Sequence, residues 1–598
     1  MHYCLRIPEI CSAIFWQLAP DSSGIEGWIP PDVRRDLAAL ARTCKAFSDG
    51  ALDVLWSRQT TLVPFMKCLP PDAWEAFEDE VVSADLAEGI EAFTVGSVRL
   101  TRPIEHEEWR RPLAYAFRVR NLLIDFKDRV PVSQLLGHFP PGSDTKIPFP
   151  RIMSLTWAVH TMSLLDIRLF LSPSNDLREL RLIPLAFSWT SQAWDLEALS
   201  RLAVEFQGLR FLEISVISNG MDYALYQKVN STLVTHVDQV KQLRVGLLDL
   251  PSFQHLTRLP SLHKLEVYSS VVPLDIAGWF PPTRTTISQT PPAASLRSLR
   301  LDGINLPYFL VTQLLESATG WALAELWIVN NKAEPRENIK NLYSAISVRI
   351  QAETLQRLRV GDLGEEERDE LDEGELIEQY TIDSDTLSLL FCFPNLETVV
   401  LTAPAGFALS TPTVQTLTAA WTKLKALSLT SSSRHCHRPT ARSDVLLDFA
   451  QNCRALHELD IALDMRGTPP PVAVLRRSES LSPQTSLTCV AFGPAPISQP
   501  REIARYLAYL FPNLNHNTGI SVSEDWDELY GDYEEASLDT PDDFDEEECE
   551  WFWAWQEVPS WVASYRSRVS ASDSDRDVRS DGEEEDMLGL DSDVKDTD

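Results

Sequence analysis

The 598-residue chain is short of cysteine, of positive charge and of long apolar runs. Its nine cysteines lack the close, even spacing of a disulfide framework, which favours reduced thiols and a cytoplasmic and/or nuclear protein. No run of 18 or more apolar residues occurs, so we expect no membrane-spanning segment. The mostly apolar stretch 10–19 begins beside Glu9 and contains Gln17, and we do not interpret it as a signal peptide.

Basic residues are outnumbered, because 53 Lys and Arg against 87 Asp and Glu give a net charge of -34. Binding to nucleic acid needs a basic surface, so we expect no nucleic-acid partner. The imbalance is concentrated in residues 521–598, which carry 28 acidic and 5 basic side chains and leave -11 for the first 520 residues. The sequence therefore predicts a mildly acidic globular body and an acidic tail whose last 30 residues are disordered.

Motifs of catalysis and cofactor binding are also missing. The sequence contains no G-x-x-x-x-G-K-[ST], G-x-G-x-x-G or G-x-S-x-G. His435, Cys436 and His437 are adjacent, so they cannot all reach one tetrahedral metal ion, and a basic surface loop is the favoured interpretation. We expect no enzyme activity, no cofactor and no metal.

Leucine is present in a repeated pattern, L-x-x-L-x-L with conservative substitutions. The thirteen copies begin at residues 119, 152, 177, 209, 240, 262, 296, 323, 355, 396, 424, 456 and 487. They lie 22 to 41 residues apart, with a mean near 31. A single copy occurs in many leucine-rich helical proteins, but thirteen at this spacing favour a solenoid in which each repeat contributes one short strand with its leucines in a continuous core.

Amphipathic stretches between these strands are long enough for helices. The clearest are residues 222–237, 338–351, 413–422 and 443–453. The predicted fold is α/β: a small helical module at 4–57, linker or capping helices at 58–114, and an irregular leucine-rich-repeat solenoid, or horseshoe, at 115–520.

Two acidic segments depart from the repeat. Residues 362–385 read as an exposed acidic insertion, and residues 521–598 form the acidic tail. Within the tail lies a tryptophan-rich segment, 551–561. Aromatic side chains at this density are seldom left in water, so this segment either docks on the last repeat, the favoured interpretation, or binds a partner.

The helical module carries apolar residues at helical spacing. Ile10, Ile14, Phe15 and Leu18 share one helical face. A second predicted helix has apolar or weakly polar positions at Leu37, Leu40, Ala41, Cys44 and Phe47. About fifty residues in two or three short helices build little core alone, so the module is expected to pack on the solenoid, on a partner or on both.

The module resembles the F-box. The resemblance rests on Leu5-Arg-Ile-Pro-Glu-Ile10, Ile14-Phe15, Asp36-Leu37, Cys44-Lys-Ala-Phe47 and Leu55-Trp56. The whole chain is similar to the large fungal group of F-box proteins with irregular leucine-rich repeats.

This resemblance implies the substrate receptor of an SCF-type cullin-RING ubiquitin ligase, in which the F-box binds a Skp-type adaptor and the repeats bind the target protein. The adaptor contacts that it implies are Ile7, Pro8, Ile10, Ile14, Leu37, Leu40 and Phe47. The alternative is that these side chains form the module's own core.

On the predicted solenoid, three positions of each L-x-x-L-x-L point into the concave face: the residue before the second leucine, the one after it and the one after the third. On the five strands whose repeats begin at 240 to 355, the candidate substrate-binding residues are Arg244, Lys264, Tyr268, Arg300, Trp327, Arg357 and Arg359. Arginine and aromatic side chains are the types that dominate binding energy, and arginine can clamp carboxylates or phosphates, so the hypothesis is an acidic or phosphorylated target. The alternative is that these arginines pair within the sheet with Glu266, Asp302 and Glu325.

Two other functions remain open. A repeat scaffold outside any ligase would use the N-terminal helices only as a cap of the solenoid. An acidic-tailed nuclear chaperone would bind basic proteins through its tail and would need no adaptor.

Overall fold

The structure is a computed structural model. It describes residues 7–19, 29–80, 94–124, 149–159, 176–184, 208–214, 223–246, 248–268, 295–302, 306–317, 320–330, 333–362, 377–431, 437–477, 482–493, 495–515, 520–521 and 546–575. The chain divides into two compact units, residues 1–331 with 348–351, and residues 332–347 with 352–598.

The described part of the first unit contains a parallel sheet preceded by helices. Its sheet runs in the order β1 (Arg58–Gln59), β4 (Asn121–Ile124), β5 (Ser154–Val159), β6 (Glu179–Pro184), β7 (Phe211–Ile214), β8 (Gln242–Val245), β9 (Lys264–Tyr268), β10 (Ser298–Asp302) and β11 (Glu325–Asn330). Two more strands, β2 (Trp74–Glu80) and β3 (Thr94–Leu100), form an antiparallel hairpin. The helices are α1 (Pro8–Leu18), α2 (Pro31–Thr43), α3 (Lys45–Ser57), α4 (Val63–Met66), α5 (Arg110–Ala116), α6 (Tyr223–Val234), α7 (Leu250–Leu256) and α8 (Tyr308–Glu316).

The second unit repeats this construction. Its parallel strands follow the order β12 (Arg357–Asp362), β14 (Thr398–Ala403), β16 (Ala426–Ser431), β17 (Glu458–Ile461), β18 (Cys489–Ala491) and β19 (Ile520–Ser521). A separate pair is formed by β13 (Ile382–Asp383) and β15 (Phe407–Ala408). The helices are α9 (Arg336–Arg349), whose last two residues belong to the first unit, α10 (Ile377–Tyr380), α11 (Ser384–Ser388), α12 (Thr411–Ala420), α13 (Val445–Asn452), α14 (Val472–Arg476), α15 (Pro500–Leu510) and α16 (Glu546–Asp575).

The strands lie where the leucine pattern places them. Each of the thirteen predicted copies begins two residues before a strand, from residue 119 before β4 to residue 487 before β18. The leucines alternate with exposed or half-buried side chains, as Leu299 and Leu301 are buried on either side of Arg300. The four helices predicted between strands are confirmed as α6, α9, α12 and α13. The fold is a mixed α/β, solenoid-like repeat with long parallel strand arrays.

A backbone ladder fixes the register of each strand before it begins. The carbonyl of Arg178, one residue before β6, accepts the N–H groups of Arg210 at 2.7 Å and Phe211 at 2.9 Å. The same pair of bonds recurs from strand to strand, for example from Lys425 and Ala426 to the carbonyl of Glu397. The repeats that contain β5 to β11, β14, β16, β17 and β18 each donate twice in this way to the one before, so repeats of unequal length still present their strands in line.

Two boundaries differ from the sequence predictions. Residues 58–114 are not helices throughout, since β1 joins the sheet and residues 74–80 and 94–100 form the hairpin. The prediction of an exposed insertion at 362–385 is wrong for its last nine residues, 377–385. They belong to a folded helix–strand–helix segment, in which Ile382 is buried and pairs with Phe407. Residues 363–376 lie outside the described part.

The tail prediction also needs correction. Helix α16 occupies residues 546–575, so this stretch is not disordered, while 522–545 and 576–598 lie outside the described residues. The docking of the tryptophan-rich segment is confirmed within the second unit. Trp555 is 1% exposed, donates its Nε1–H to the Ala495 carbonyl at 2.8 Å and stacks on Phe492 with ring centroids 5.0 Å apart. Trp551 is also buried, whereas Trp553 is exposed.

Candidate functional site

The N-terminal helices offer a first candidate surface. The inner side of α1 buries Cys11 and Phe15 against Leu37, Ala51 and Val54. Phe15 meets Phe47 edge to face, with centroids 5.7 Å apart. The three helices therefore share a small core of their own.

The outer side of α1 is apolar and exposed. Ile10, Ile14 and Leu18 are 37%, 45% and 42% exposed and follow one another at four-residue spacing, which places them in one stripe. Pro8 is exposed at the start of the same helix and Ile7 is half-buried. We call Ile10, Ile14 and Leu18 the α1 stripe.

This arrangement sorts the seven predicted adaptor contacts. Pro8, Ile10 and Ile14 lie on or beside the α1 stripe, together with Leu18, which the sequence placed on this apolar face but not among the contacts. Leu37 is fully buried in the module's core, so its assignment as a partner contact is wrong. Leu40 and Phe47 are half-buried and pack against that core, so part of each side chain faces outward.

The module is joined firmly to the repeats. Helix α3 runs directly into β1, the first strand of the sheet, and Trp56 stacks on Tyr115 with centroids 4.5 Å apart. Arg118, just before β4, makes ion pairs with Asp49, at 2.8 Å, and with Asp53 of α3. These contacts hold α3 at a fixed position relative to the first strands, and α1 packs on α3 through the shared core of the module.

The open face of the first sheet is the second candidate surface. In register across six strands, one row reads Arg181, Glu213, Arg244, Glu266, Arg300 and Trp327. Charges therefore alternate from strand to strand, and the row ends on an aromatic ring.

Each arginine of this row lies between a carboxylate and an aromatic ring of the next strand. Arg300 donates to Glu325 Oε1 at 2.6 Å, and its guanidinium carbon is 3.6 Å from the centroid of the Trp327 ring. Glu325 also accepts the hydroxyl of Ser298 at 2.7 Å and is itself buried. We call Arg300, Glu325 and Trp327 an arginine triad.

Two further triads repeat this geometry two and four strands earlier. Arg244 lies 3.0 Å from Glu266 and 4.7 Å from the Tyr268 centroid, and it also donates to Glu213 at 3.1 Å. The third triad consists of Arg181, Glu213 and Phe211. Lys264 lies 3.5 Å from Glu266 and is about one third exposed.

The triads decide between the two interpretations of these arginines. Pairing within the sheet is confirmed for Arg244 and Arg300, so each guanidinium already has a carboxylate partner. An anionic target would have to compete with those carboxylates, which weakens the clamp hypothesis. What the triads do present is a set of oriented planar groups, and such pre-organised arginine and aromatic side chains lower the ordering cost of binding a protein surface.

Arg357 and Arg359 belong to the second unit, where β12 pairs with β14 and places Arg359 opposite Val400. The corresponding row of this sheet continues as Val400, Ser428, Asp460 and Ala491. Burial raises the pKa of Asp460 to about 6, although the Ser428 hydroxyl, which donates to it at 3.1 Å, acts in the opposite direction. Sequence reasoning did not single out Asp460, because its pattern is that of any strand residue between two buried leucine-type positions.

No group of three or more His, Cys, Asp or Glu side chains that could hold a metal ion occurs in the part of the chain that the structure describes. His435 and Cys436 lie outside that part, while the backbone N–H of His437 donates to the Ala405 carbonyl. Across the described ranges, no helix combines the length and apolarity needed to cross a bilayer.

No protein-family model and no curated protein matches the chain. Among solved structures, it is similar to the yeast complex of Rad7 and Elc1, with a TM-score of 0.28, 13% identity, and coverage of 67% of this chain and 77% of that one. The complex of TLR13 with ssRNA13 gives a TM-score of 0.29, 13% identity, and coverage of 65% and 58%. A Bacteroides fragilis protein gives a TM-score of 0.21 and 15% identity, with coverage of 44% of this chain and 67% of that one. At these scores the matches leave family and function open.

Proposed function

We propose that this chain is the substrate receptor of an SCF-type cullin-RING ubiquitin ligase. Its N-terminal helices bind a Skp-type adaptor, its repeats bind the target protein, and the chain itself catalyses no step. The α1 stripe is the observation that carries the proposal. The proposed location is the cytoplasm and/or the nucleus, where such ligases work.

The α1 stripe is best explained by a partner. Ile10, Ile14 and Leu18 remain in water although the opposite side of the same helix is packed. Burying a large aliphatic side chain stabilises an assembly by about 1.5–3 kcal/mol, so a row of three is a strong docking surface. A contiguous apolar surface on an otherwise polar, acidic chain marks an interaction site.

The attachment of the module suits a receptor. A ligase receptor has to hold its target at a constant distance from the adaptor, and a floppy linker would not do this. Here α3 continues into β1, and Arg118, three residues before β4, forms ion pairs with Asp49 and Asp53 of that helix. Adaptor site and first repeats therefore behave as one body within the first unit.

A second candidate function is a repeat scaffold outside any ligase. It is favoured by the pairing of β1 with β4, because a helical module that supplies the first strand also covers the open end of the repeat core. In that case the burial of Leu37 and the packing of Phe47 would serve the cap alone. The two functions differ in whether the α1 stripe has a partner.

The test is co-purification of the intact chain with a purified Skp-type adaptor, with and without the double substitution Ile10→Asp and Ile14→Asp. Both side chains are exposed, so the fold survives while each carboxylate would be buried unpaired in the interface, and we expect capture to weaken about a hundredfold.

Val348→Asp with Val474→Asp is the matched control, because it places the same two charges on exposed valines elsewhere. Thermal unfolding of all three proteins checks the fold. Equal capture by the stripe variant and the intact chain would overturn the proposal, and no capture by a folded intact chain would favour the scaffold.

A further inference from the structure

A column of basic residues runs along one edge of the first sheet. The residue immediately before each of five successive strands, β6 to β10, is Arg178, Arg210, Lys241, His263 and Arg297. We call these five residues the basic column. They belong to no arginine triad.

The backbone ladder holds the basic column straight. The N–H of Arg210 donates to the Arg178 carbonyl at 2.7 Å, and that of Lys241 donates to the Arg210 carbonyl at 2.8 Å. The same bond joins His263 to Lys241 at 2.7 Å and Arg297 to His263 at 2.8 Å. Consecutive members are therefore one strand spacing apart, about 4.8 Å, and the five span about 19 Å.

The side chains of the basic column point into solvent. All five residues are exposed. Within the described ranges, no carboxylate lies within 4.0 Å of a basic nitrogen of Arg178, Arg210, Lys241 or Arg297. Arg297 donates to the Ala322 carbonyl, and His263 Nδ1 lies 2.6 Å from the Ser261 carbonyl. The only acidic neighbours in the described turns that lead into these strands are Asp176 and Asp238, so the positive charge is only partly offset.

The second unit shows that the backbone does not demand basic residues here. At the same position before β12, β14, β16, β17 and β18, joined by the same ladder, stand Gln356, Glu397, Lys425, His457 and Thr488. Its one carboxylate and one lysine neutralise each other, with Lys425 Nζ 2.7 Å from Glu397. The run of positive charge is a property of the first unit alone among the described residues.

We propose that the basic column binds a short acidic segment of a partner protein. Like charges on adjacent strands destabilise a sheet, and a row of carboxylates lying across the strand ends converts that repulsion into attraction. An extended peptide advances about 3.3 Å per residue, so about six residues cover the column.

The length of the basic column and the net charge of the chain indicate which class of anionic partner fits. The basic column is one residue wide, and the chain has a net charge of -34. A long polyanion such as nucleic acid would extend beyond both ends of the column and be repelled by the acidic residues of the chain. A run of about six Asp and Glu residues within an otherwise neutral partner avoids this repulsion. The arginine triads next to the column, whose guanidinium groups are already paired, then meet the uncharged remainder of that partner.

The inference deepens the proposed function, because it names the chemical class of the target. It rests on that function only for the consequence of binding. Binding to the column is measured without an adaptor, so failure of one proposal is distinguishable from failure of the other.

The experiment uses the full chain and a fluorescein-labelled hexaglutamate peptide, with hexaglutamine as the uncharged probe, in fluorescence anisotropy at low ionic strength. The triple variant Arg178→Gln, Arg210→Gln, Lys241→Gln removes three of the cations that would pair with the peptide, and we expect about tenfold weaker binding of hexaglutamate. The matched control is Lys340→Gln, Arg476→Gln, Arg477→Gln, which removes the same charge from exposed residues of the second unit. We expect its affinity to equal that of the intact chain.

A second measurement locates the peptide. Carbodiimide coupling joins a peptide carboxylate to a nearby lysine amine, and we expect mass spectrometry to find the cross-link at Lys241 and not at Lys425. The proposal is overturned by equal weakening in both triple variants, by an intact chain that does not bind hexaglutamate, or by tighter binding of a single-stranded oligonucleotide. It is equally overturned if Lys241 is not cross-linked.

Discussion

The open faces of the two sheets are built on the same backbone ladder but carry different chemistry. In the first unit, the row from Arg181 to Trp327 alternates charges, and every arginine lies against a glutamate and a ring. In the second unit, the row after Arg359 is Val400, Ser428, Asp460 and Ala491, with short side chains and one carboxyl group. Two sheets with the same backbone construction therefore differ in the side chains of their open faces: the first carries paired charges and rings, the second mostly short, uncharged side chains.

The difference teaches that charge on a repeat surface is not in itself a binding signal. The first face is rich in arginine, yet its guanidinium groups stabilise the sheet by pairing across strands. The second face has few charges, and its carboxyl group is held where the ionised form is disfavoured. Predictions that remove one carboxyl group from each face should therefore have opposite signs.

The largest effect is expected at Glu325 of the first face. Glu325→Gln removes the negative charge of the carboxylate that accepts hydrogen bonds from Arg300 and Ser298, while keeping the volume of the side chain. Because it leaves the half-buried Arg300 guanidinium without its carboxylate, we expect the free energy of unfolding to fall by about 2–3 kcal/mol. Hydrogen exchange of the β10 and β11 amides measures the change.

The control for Glu325 is Glu316→Gln, at an exposed position at the end of α8. We expect a change below about 0.5 kcal/mol there. Similar small effects at both glutamates would contradict a structural role for the arginine triad.

The next effect is expected at Asp460 of the second face and depends on pH. Its folded pKa, about 6, is above the ordinary aspartate value of 3.8, so between those pH values the folded chain keeps a proton that the unfolded chain releases. Stability therefore falls as pH rises from about 4 to about 6, and Asp460→Asn abolishes that fall. At pH 7.5 we expect the variant to be more stable than the wild type by about 2 kcal/mol, and at pH 4 equally stable.

Asp464 of the same unit has a pKa shifted in the opposite direction, so its effect on stability has the opposite dependence on pH. Burial alone would raise the pKa of Asp464, but hydrogen bonds from Arg466 outweigh it and lower that pKa. The charged form is thus favoured by folding, and Asp464→Asn should destabilise the protein at neutral pH and lose this effect on acidification. Hydrogen exchange of β16 to β18 across the pH range separates the two variants. A wild type and an Asp460→Asn variant with parallel pH profiles would contradict the assignment.

The comparison also shows what a sequence of this kind reveals. The leucine pattern placed thirteen strands correctly, because alternating burial is a local property that each strand carries in its own residues. Strand β1 was missed since Trp56-Ser-Arg-Gln59 lacks the pattern, and β2 was missed since Trp74–Glu80 is mostly acidic. Register, by contrast, depends on turns of unequal length, so the pairing of Arg300 with Glu325 could be named as an alternative but not chosen.

The N-terminal helices illustrate a second limit. Ile10, Ile14 and Phe15 lie on one broad apolar arc of α1, and periodicity alone gives no reason to separate them. The separation comes from α2 and α3, which cover Phe15 and leave the isoleucines exposed. Leu37 was misassigned for the same reason, because an apolar helix position is equally suited to a core and to an interface.

The smallest effect is expected for the ring of the first face, and it tests whether that ring serves the sheet or a partner. A double-mutant cycle of Trp327→Leu and Arg300→Met isolates the contact between guanidinium and indole, for which we expect a coupling of about 0.5–1 kcal/mol in the free protein. Trp327→Phe, which keeps an aromatic ring, should retain part of it. A coupling of zero would mean that Trp327 is held over Arg300 without stabilising the fold. The Trp327 ring would then resemble Ile10 and Ile14 of α1: an exposed apolar side chain that contributes binding energy to a complex but no stability to the free protein.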